Sequence, residues 1–81
     1  MKGLTMFKIV TNHYRSNVRN EILGVKSKAE AIQMAWDIVG VYDNGVYEWV
    51  QVHDSQWRGS IENMVAVVVE VVESNEVLLQ P

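Results

Sequence analysis

The sequence predicts a single α+β domain, with one helix packed on one face of an antiparallel sheet of about four strands, in the order β-β-α-β-β. Three observations lead to this fold. Short runs alternate apolar and polar side chains, one longer segment repeats its apolar residues at helical spacing, and turn-forming residues separate these segments. The chain has 81 residues, 48% hydrophobic and 21% charged, which suits one globular domain spanning 1–81.

The first two strands are predicted on either side of a polar loop. Residues 5–13, "TMFKIVTNH", place alternate side chains on opposite faces, as a strand requires. The next seven residues, "YRSNVRN", favour a loop because Asn and Ser are turn formers. A second strand is expected over 21–27, "EILGVKS", in which Gly24 marks a bulge or a close backbone approach.

The single helix is predicted over "SKAEAIQMAWDIVG", residues 27–40. Ser27 and Glu30 have the spacing of a capping box, in which the serine hydroxyl accepts from the Glu30 amide and the Glu30 carboxylate reaches back to the Ser27 amide. Gly40 stands where a glycine commonly ends a helix. Apolar residues recur on one face at helical spacing: Ile32, Ala35, Trp36 and Val39, widened by Ala29 and Ile38.

A tight hairpin is predicted at Asn44-Gly45, between Val41-Tyr42 and Val46-Tyr47. Asn and Gly tolerate the positive φ angles that a type I′ turn requires. A third strand would then run over 46–53, and "SQWRGS", residues 55–60, would be a loop.

The segment "MVAVVVEVVE", residues 64–73, is predicted to be the fourth strand because six of its ten residues are the β-branched valine. A helix is the alternative, since several of its apolar residues also keep a 3.6-residue period. The following "ESNE" is expected to turn the chain into a short edge strand, "VLLQ". Both faces of the fourth strand are apolar, so a sheet with one helix would leave one apolar face for something else to cover.

The side chains expected on the face opposite the helix form an apolar and aromatic surface larger than most monomers expose. Three explanations fit this surface: self-association across it, a site kept for another protein, or an intramolecular cover by Trp57 and the "VLLQ" segment. Tyr and Trp are also enriched at the centres of binding sites. The residues expected on this face are Met6, Val10, Ile22, Tyr47, Trp49, His53, Ala66 and Val68.

Charge is unevenly distributed along the chain, although the net charge is only −3. Residues 1–28 hold six basic residues and one acidic residue, whereas residues 29–81 hold one basic residue and nine acidic residues. Basic and acidic strands could pair across the sheet. The acidic segment could also imitate a phosphate backbone or dock on a basic groove of a nucleic-acid-handling protein, but ordinary surface charge that keeps the chain soluble is the favoured explanation. Without cysteine or a run of about 20 apolar residues, the chain is expected to be cytoplasmic, with no disulfide and no membrane span.

Residue types suited to catalysis are few and poorly spaced. His53, Asp54 and Ser55 are adjacent, but neighbouring residues in a strand point to opposite faces and cannot form a triad. His13 and His53 are interpreted as strand residues with a satisfied hydrogen bond, and a metal site of His53, Asp54 and Glu48 would need a carboxylate from another strand. We therefore predict no enzyme, no metal site and no cofactor, and a small metal-dependent enzyme ranks third among the functions considered.

The predicted function is binding to another protein, by a chain that is also expected to form a homodimer. Aromatic anchors would supply apolar contact, and acidic side chains would supply charge complementarity. The anchors would be Tyr47, Trp49 and Trp57, and the acidic residues Asp54, Glu62 and Glu70.

The alternative from a different class is a single-stranded nucleic-acid-binding protein. Tyr47 and Trp49 would stack on bases, while Arg15 and Arg19 contact phosphates. Nucleic acid is the less favoured partner, because the acidic segment that carries both aromatics would repel a polyanion.

The layout resembles small accessory proteins encoded by phages and other mobile elements, including anti-CRISPR inhibitors. These often combine a hairpin, a helix opened by "S-x-x-E-A", here Ser27, Glu30 and Ala31, and further strands. The resemblance is architectural and covers most of the chain. It implies a protein that binds and blocks a larger host machine without a cofactor.

Overall fold

The computed structural model describes residues 5–43 and 45–74. It shows an α+β fold, in which one helix packs on a five-stranded antiparallel sheet in the chain order β-β-α-β-β-β. The predicted fold class is confirmed, with one strand more than expected. The elements are β1 (Met6–His13), β2 (Val18–Val25), α1 (Lys28–Tyr42), β3 (Glu48–His53), β4 (Gln56–Ile61) and β5 (Met64–Ser74). The strands lie side by side in the order β2-β1-β5-β4-β3.

The valine-rich segment forms β5, the central strand, which pairs with β1 on one side and β4 on the other. A strand in this position is covered on both faces, which explains why its sequence is apolar on both. Val67 and Val69 are fully buried on the face that carries α1, called here the helix face. Ala66 and Val68 are buried on the opposite face, called the open face.

Long polar side chains of the neighbouring strands shield the open face of β5. Asn12 of β1 and Arg58 of β4 lie directly opposite Val68. Gln56 of β4 donates from Nε2 to Oε2 of Glu70 at 2.7 Å. Flanked in this way, Val68 is only 7% exposed. The short valine side chains are therefore buried beside polar neighbours, without the large aromatic surface that the sequence suggested.

The helix begins as predicted and ends later. Ser27 is the N-cap, and its Oγ accepts from the Glu30 amide at 3.1 Å. Gly40 does not end the helix, which continues to Tyr42 because a glycine can also keep a helical conformation. The predicted apolar face is also rotated, since Trp36 is 45% exposed and Ala29 lies on the exposed side. The buried stripe is Ala31, Ala35 and Val39, and it packs in the core with Ile9, Val25, Trp57, Val69 and Val71.

Two predictions for the middle of the chain were wrong. Val41 and Tyr42 belong to the helix and do not form the first strand of the predicted hairpin. Asn44 lies outside the described residues. Residues 55–60 do not form a loop, because all but Ser55 belong to β4. The predicted edge strand "VLLQ" also lies outside the described residues.

Residues with positive φ occur inside β2 and in the connections before β2, β3 and β5, where Gly45 before β3 has φ +83°. Gly24 has φ +76° where the register between β1 and β2 shifts, so the predicted bulge is confirmed. Asn17 has φ 56° at the end of the β1–β2 loop. Glu62 and Asn63 have φ values of 52° and 67° between β4 and β5, the signs that the two central residues of a type I′ turn adopt.

The antiparallel pairings determine which loops share an end of the sheet. The end at which α1 stops, called the exit end, gathers the β1–β2 loop, residues 45–47 and the β4–β5 turn. The opposite end, the entry end, gathers Ser27 and the β3–β4 turn. Residues from distant parts of the sequence therefore meet at each end.

Candidate protein-binding surfaces

The predicted aromatic anchors of the third strand lie on the helix face, so their predicted position on the open face was wrong. Trp49 lies opposite Gly59 and packs against the core. The ring of Tyr47 meets the ring of Tyr42 edge-on, with centroids 6.4 Å apart, and its centroid lies 5.8 Å from that of the Trp49 ring. The helix packs chiefly on β5 and β1, so these rings fill the helix face beside it. Ile22, also expected on the open face, lies opposite Ile9 of the core.

Trp57 is a core residue and is not exposed to a partner. It is 1% exposed, lies opposite Val69, and meets Trp36 edge-on with ring centroids 5.4 Å apart. The indole Nε1 atoms of Trp49 and Trp57 are buried and have no hydrogen-bond partner among the described residues. Both side chains therefore contribute apolar packing, at the cost of two buried donors.

The three predicted acidic residues lie in three separate places. Asp54 is in the β3–β4 turn at the entry end, where its Oδ2 lies 3.4 Å from Nζ of Lys28. The Ser55 hydroxyl donates to Oδ1 of Asp54 at 3.1 Å and, with Lys28, lowers the pKa of that carboxyl. Glu70 lies on the open face with Gln56, and Glu62 is in the turn at the exit end. They do not form one acidic site.

The four residues of the nucleic-acid alternative also fail to share one surface. Arg15 is exposed in the β1–β2 loop. Arg19 lies on the open face, where its Nη2 is 3.6 Å from Oε1 of Glu21. Glu21 pairs more closely with Lys8, at 2.7 Å, and this contact holds the pKa of Glu21 below its ordinary value. Tyr47 and Trp49 lie against the helix on the opposite face.

Each of the two histidines has a ring nitrogen within hydrogen-bond distance of another residue. His13 Nε2 lies 3.1 Å from the Tyr42 hydroxyl, and His53 Nδ1 accepts from the Ser55 amide at 3.1 Å. Across residues 5–43 and 45–74, no three His, Asp or Glu side chains converge on a position that could hold a metal ion. Within the same ranges, no helix has the length and hydropathy needed to span a membrane.

The exit end carries an apolar and acidic surface that sequence reasoning missed, called here the exit-end surface. Its apolar side chains are strongly exposed, and its carboxylates come from the helix end, from the start of β3 and from the β4–β5 turn. Only the correct strand pairing shows that these segments share one end of the sheet, which explains why no local motif revealed them. The residues at this end are Tyr14, Val41, Met64 and Val65, which are 59%, 80%, 69% and 41% exposed, with Asp43, Glu48 and Glu62. Tyr14 and Val65 line a groove on the open face with Arg58, whereas Val41 lies at the end of the helix.

Comparisons of this chain with protein-family models, with curated proteins and with solved structures found no match.

Proposed function

We propose that this protein is a non-catalytic binding module that docks, through the exit-end surface, on a positively charged surface of a larger protein. The observation that carries the proposal is the concentration of exposed apolar side chains there, with Val41 80% and Met64 69% exposed. Exposed apolar side chains gathered in one place, with a polar rim, are typical of protein-binding sites.

The charge of this surface favours a basic partner. Asp43, Glu48 and Glu62 are exposed at the same end as the apolar side chains, where the basic residues are Arg15 of the β1–β2 loop and Arg58, which lines a groove with Tyr14 and Val65. A negative rim increases the rate of encounter with a positively charged protein and disfavours a polyanion. Proteins that handle nucleic acids expose basic grooves, so they are the class of partner that fits. Docking on such a groove would block it, as the resemblance to mobile-element inhibitors implies.

The proposal is tested by site-specific crosslinking in cells of the source organism, followed by titration of the purified partner. A photo-crosslinking residue is placed at Val41 or at Met64, and at Lys26 of the entry end as the matched control. We expect one basic protein to be crosslinked from both exit-end positions and not from position 26. With that protein purified, Val41→Asp combined with Met64→Asp should weaken binding by about tenfold or more.

Crosslinking that is equal at position 26, or an affinity unchanged by the double substitution, would overturn the proposal. A gel-shift titration with single-stranded oligonucleotides tests the other class. Salt-dependent binding that disappears in the double variant Arg15→Ala/Arg19→Ala would show that the partner is a nucleic acid and not a protein.

A further inference from the structure

β2 is the longer of the two edge strands of the sheet and has the larger number of exposed residues. Seven of its eight residues are exposed, among them Val18 (46%), Ile22 (39%) and Leu23 (56%). Among the described residues, no strand pairs with this edge. An exposed edge of this length, carrying apolar side chains, is a template for pairing with another strand.

The charges on β2 select one way for the strand to pair with a copy of itself. When two identical antiparallel strands are related by a twofold axis, residues equally far from the axis on either side face each other. With the axis at Asn20, Arg19 faces Glu21 of the second copy, and this pair occurs twice. Moving the axis to Arg19 places two arginines opposite each other, and moving it to Glu21 places two glutamates opposite each other, both of which are unfavourable.

The same register also buries apolar side chains. Val18 and Ile22 both lie on the helix face, opposite His13 and Ile9, and with the axis at Asn20 each Val18 faces the other copy's Ile22. Arg19 and Glu21 lie together on the open face, opposite Asn12 and Val10. One register therefore matches charge on one face and apolar surface on the other.

From these observations we infer that two copies of this chain form a homodimer in which their β2 strands pair antiparallel about Asn20, giving a continuous ten-stranded sheet. Both helices lie on the same face of this sheet. Each Glu21 lies 2.7 Å from Lys8 and 3.6 Å from Arg19 of its own chain, and it faces Arg19 of the second copy. This site is separate from the exit-end surface, so the inference does not depend on the proposed function.

The other edge of the sheet is less suited to self-pairing. β3 has six residues, and its register shifts between Gln51 and His53. With a twofold axis at Val50, Glu48 would face Val52 of the second copy, which pairs a charge with an apolar side chain. The β3 irregularity falls within the residues that would pair about Val50, whereas the β2 bulge at Gly24 lies outside residues 18–22, which pair about Asn20.

The decisive experiment uses two charge reversals, each of which opposes like charges in a homodimer. Arg19→Glu places Glu opposite the second copy's Glu21, and Glu21→Arg places Arg opposite the second copy's Arg19. Sedimentation equilibrium should show the dimer Kd raised by about tenfold or more in each variant. When the two variants are mixed, both charged pairs between the two copies are complementary again, so a heterodimer should form with a lower Kd than either variant homodimer. Arg58→Glu, an exposed reversal on β4, is the matched control and should dimerise normally.

A second variant makes the result independent of any folding defect in the charge reversals. The chain contains no cysteine, so Asn20→Cys introduces a single thiol at the proposed axis. We expect a disulfide-linked dimer to form much faster than in Gln51→Cys, which places a thiol on the other edge strand. A wild-type chain that is monomeric at high concentration, a dimer unaffected by both reversals, or equal crosslinking at positions 20 and 51 would each overturn the inference.

Discussion

β5 and β2 flank the same strand, β1, but their surroundings are opposite. β5 has β4 on its other side and is buried on both faces along its centre, whereas β2 is an edge strand with seven of eight residues exposed. Both strands contain Val residues, so apolar content alone does not separate them. The difference lies in charge placement: β2 carries Arg19 and Glu21 of opposite charge on its open face, while β5 carries two acidic residues, Glu70 and Glu73, and no basic residue among its six valines.

The comparison shows how position in the sheet decides what an apolar side chain contributes. A fully buried valine stabilises a fold by about 1.5–3 kcal/mol relative to an exposed one, so the centre of β5 supplies much of the stability. Val18 and Ile22 of β2 retain apolar surface that folding alone does not bury. That surface is available for association with another chain, whereas the apolar surface at the centre of β5 is already buried within the fold.

The largest effect is expected from removing the side chain that anchors β4 to β5. Trp57→Ala should lower the free energy of unfolding by about 3–5 kcal/mol, because Trp57 is 1% exposed and its removal leaves a cavity against Val69. Trp36→Ala is the matched control, and since Trp36 is 45% exposed we expect a loss of about 1 kcal/mol. Urea denaturation measures both. Equal losses would mean that Trp57 is not the core residue described here.

Close packing beside β5 gives the next largest effect. A methyl group added at Gly59 would lie 2.8 Å from Cγ1 of Val67 and 3.1 Å from Cη2 of Trp49, so Gly59→Ala should destabilise by roughly 1–3 kcal/mol. Gly40→Ala is the control, because nothing lies within 4 Å of the added atom and alanine favours a helix interior. We expect it to stabilise by about 0.5–1 kcal/mol. Opposite signs in thermal melting of the two variants support this packing, and a harmless Gly59→Ala contradicts it.

An isosteric change applied to both strands tests the comparison directly. Val67→Thr places a hydroxyl at a position with 0% exposure and should cost about 1–2 kcal/mol. Val18→Thr, at a position 46% exposed, should change the stability of the monomer by less than about 0.5 kcal/mol. The measurement is the free energy of unfolding at a concentration low enough to keep the chain monomeric. Similar costs at both positions would mean that β2 is buried as deeply as β5.

The sequence predicted the features that depend on local chemistry. The Ser27 cap, the bulge at Gly24 and the strand at 64–73 each follow from the conformational preferences of the residues involved, and each is present. β4 was missed because its two large apolar residues, Trp57 and Ile61, are separated by polar residues and a glycine in "QWRGSI". Its pattern looks like a loop until Val69 is placed opposite it.

The location of the candidate surfaces could not be predicted because it depends on strand pairing. Tyr47 and Trp49 were assigned to the open face, since nothing local indicated which face of the third strand meets the helix. Once β4 is inserted between β3 and β5, Trp49 lies opposite Gly59 and Gly59 opposite Val67, which fixes Trp49 on the helix face. The exit-end surface depends on pairings between segments distant in sequence, so only the fold reveals it.

Substitutions in the turn that leads into β5 are expected to change the free energy of unfolding by less than the core substitutions do. Glu62 has φ 52°, a conformation that asparagine tolerates better than glutamate, so Glu62→Asn should stabilise by about 0.5–1 kcal/mol. Asn17→Ala at φ 56° in the loop before β2 is the reciprocal control and should destabilise by about 1 kcal/mol. Chemical denaturation of the two single variants checks both signs. A destabilising Glu62→Asn would show that Glu62 makes a contact that outweighs its backbone conformation.

The smallest effect concerns the charges that distinguish β2 from β5. The Lys8 contact lowers the pKa of Glu21 in the folded protein below the ordinary value of 4.5. Well above pH 4.5 the carboxylate is ionised in both the folded and the unfolded state, and the stabilising contact is fully present. As the pH falls, the unfolded chain binds the proton first, so this stabilisation is lost as the pH passes through the lowered pKa of the folded state. In Lys8→Met, an NMR titration should show the pKa of Glu21 raised toward its ordinary value, with Arg19→Gln, the more distant partner at 3.6 Å, giving a smaller rise. An unchanged pKa in Lys8→Met would show that Lys8 does not hold the carboxylate in solution, and the β2 edge would then lose the cation that positions Glu21 toward a second copy.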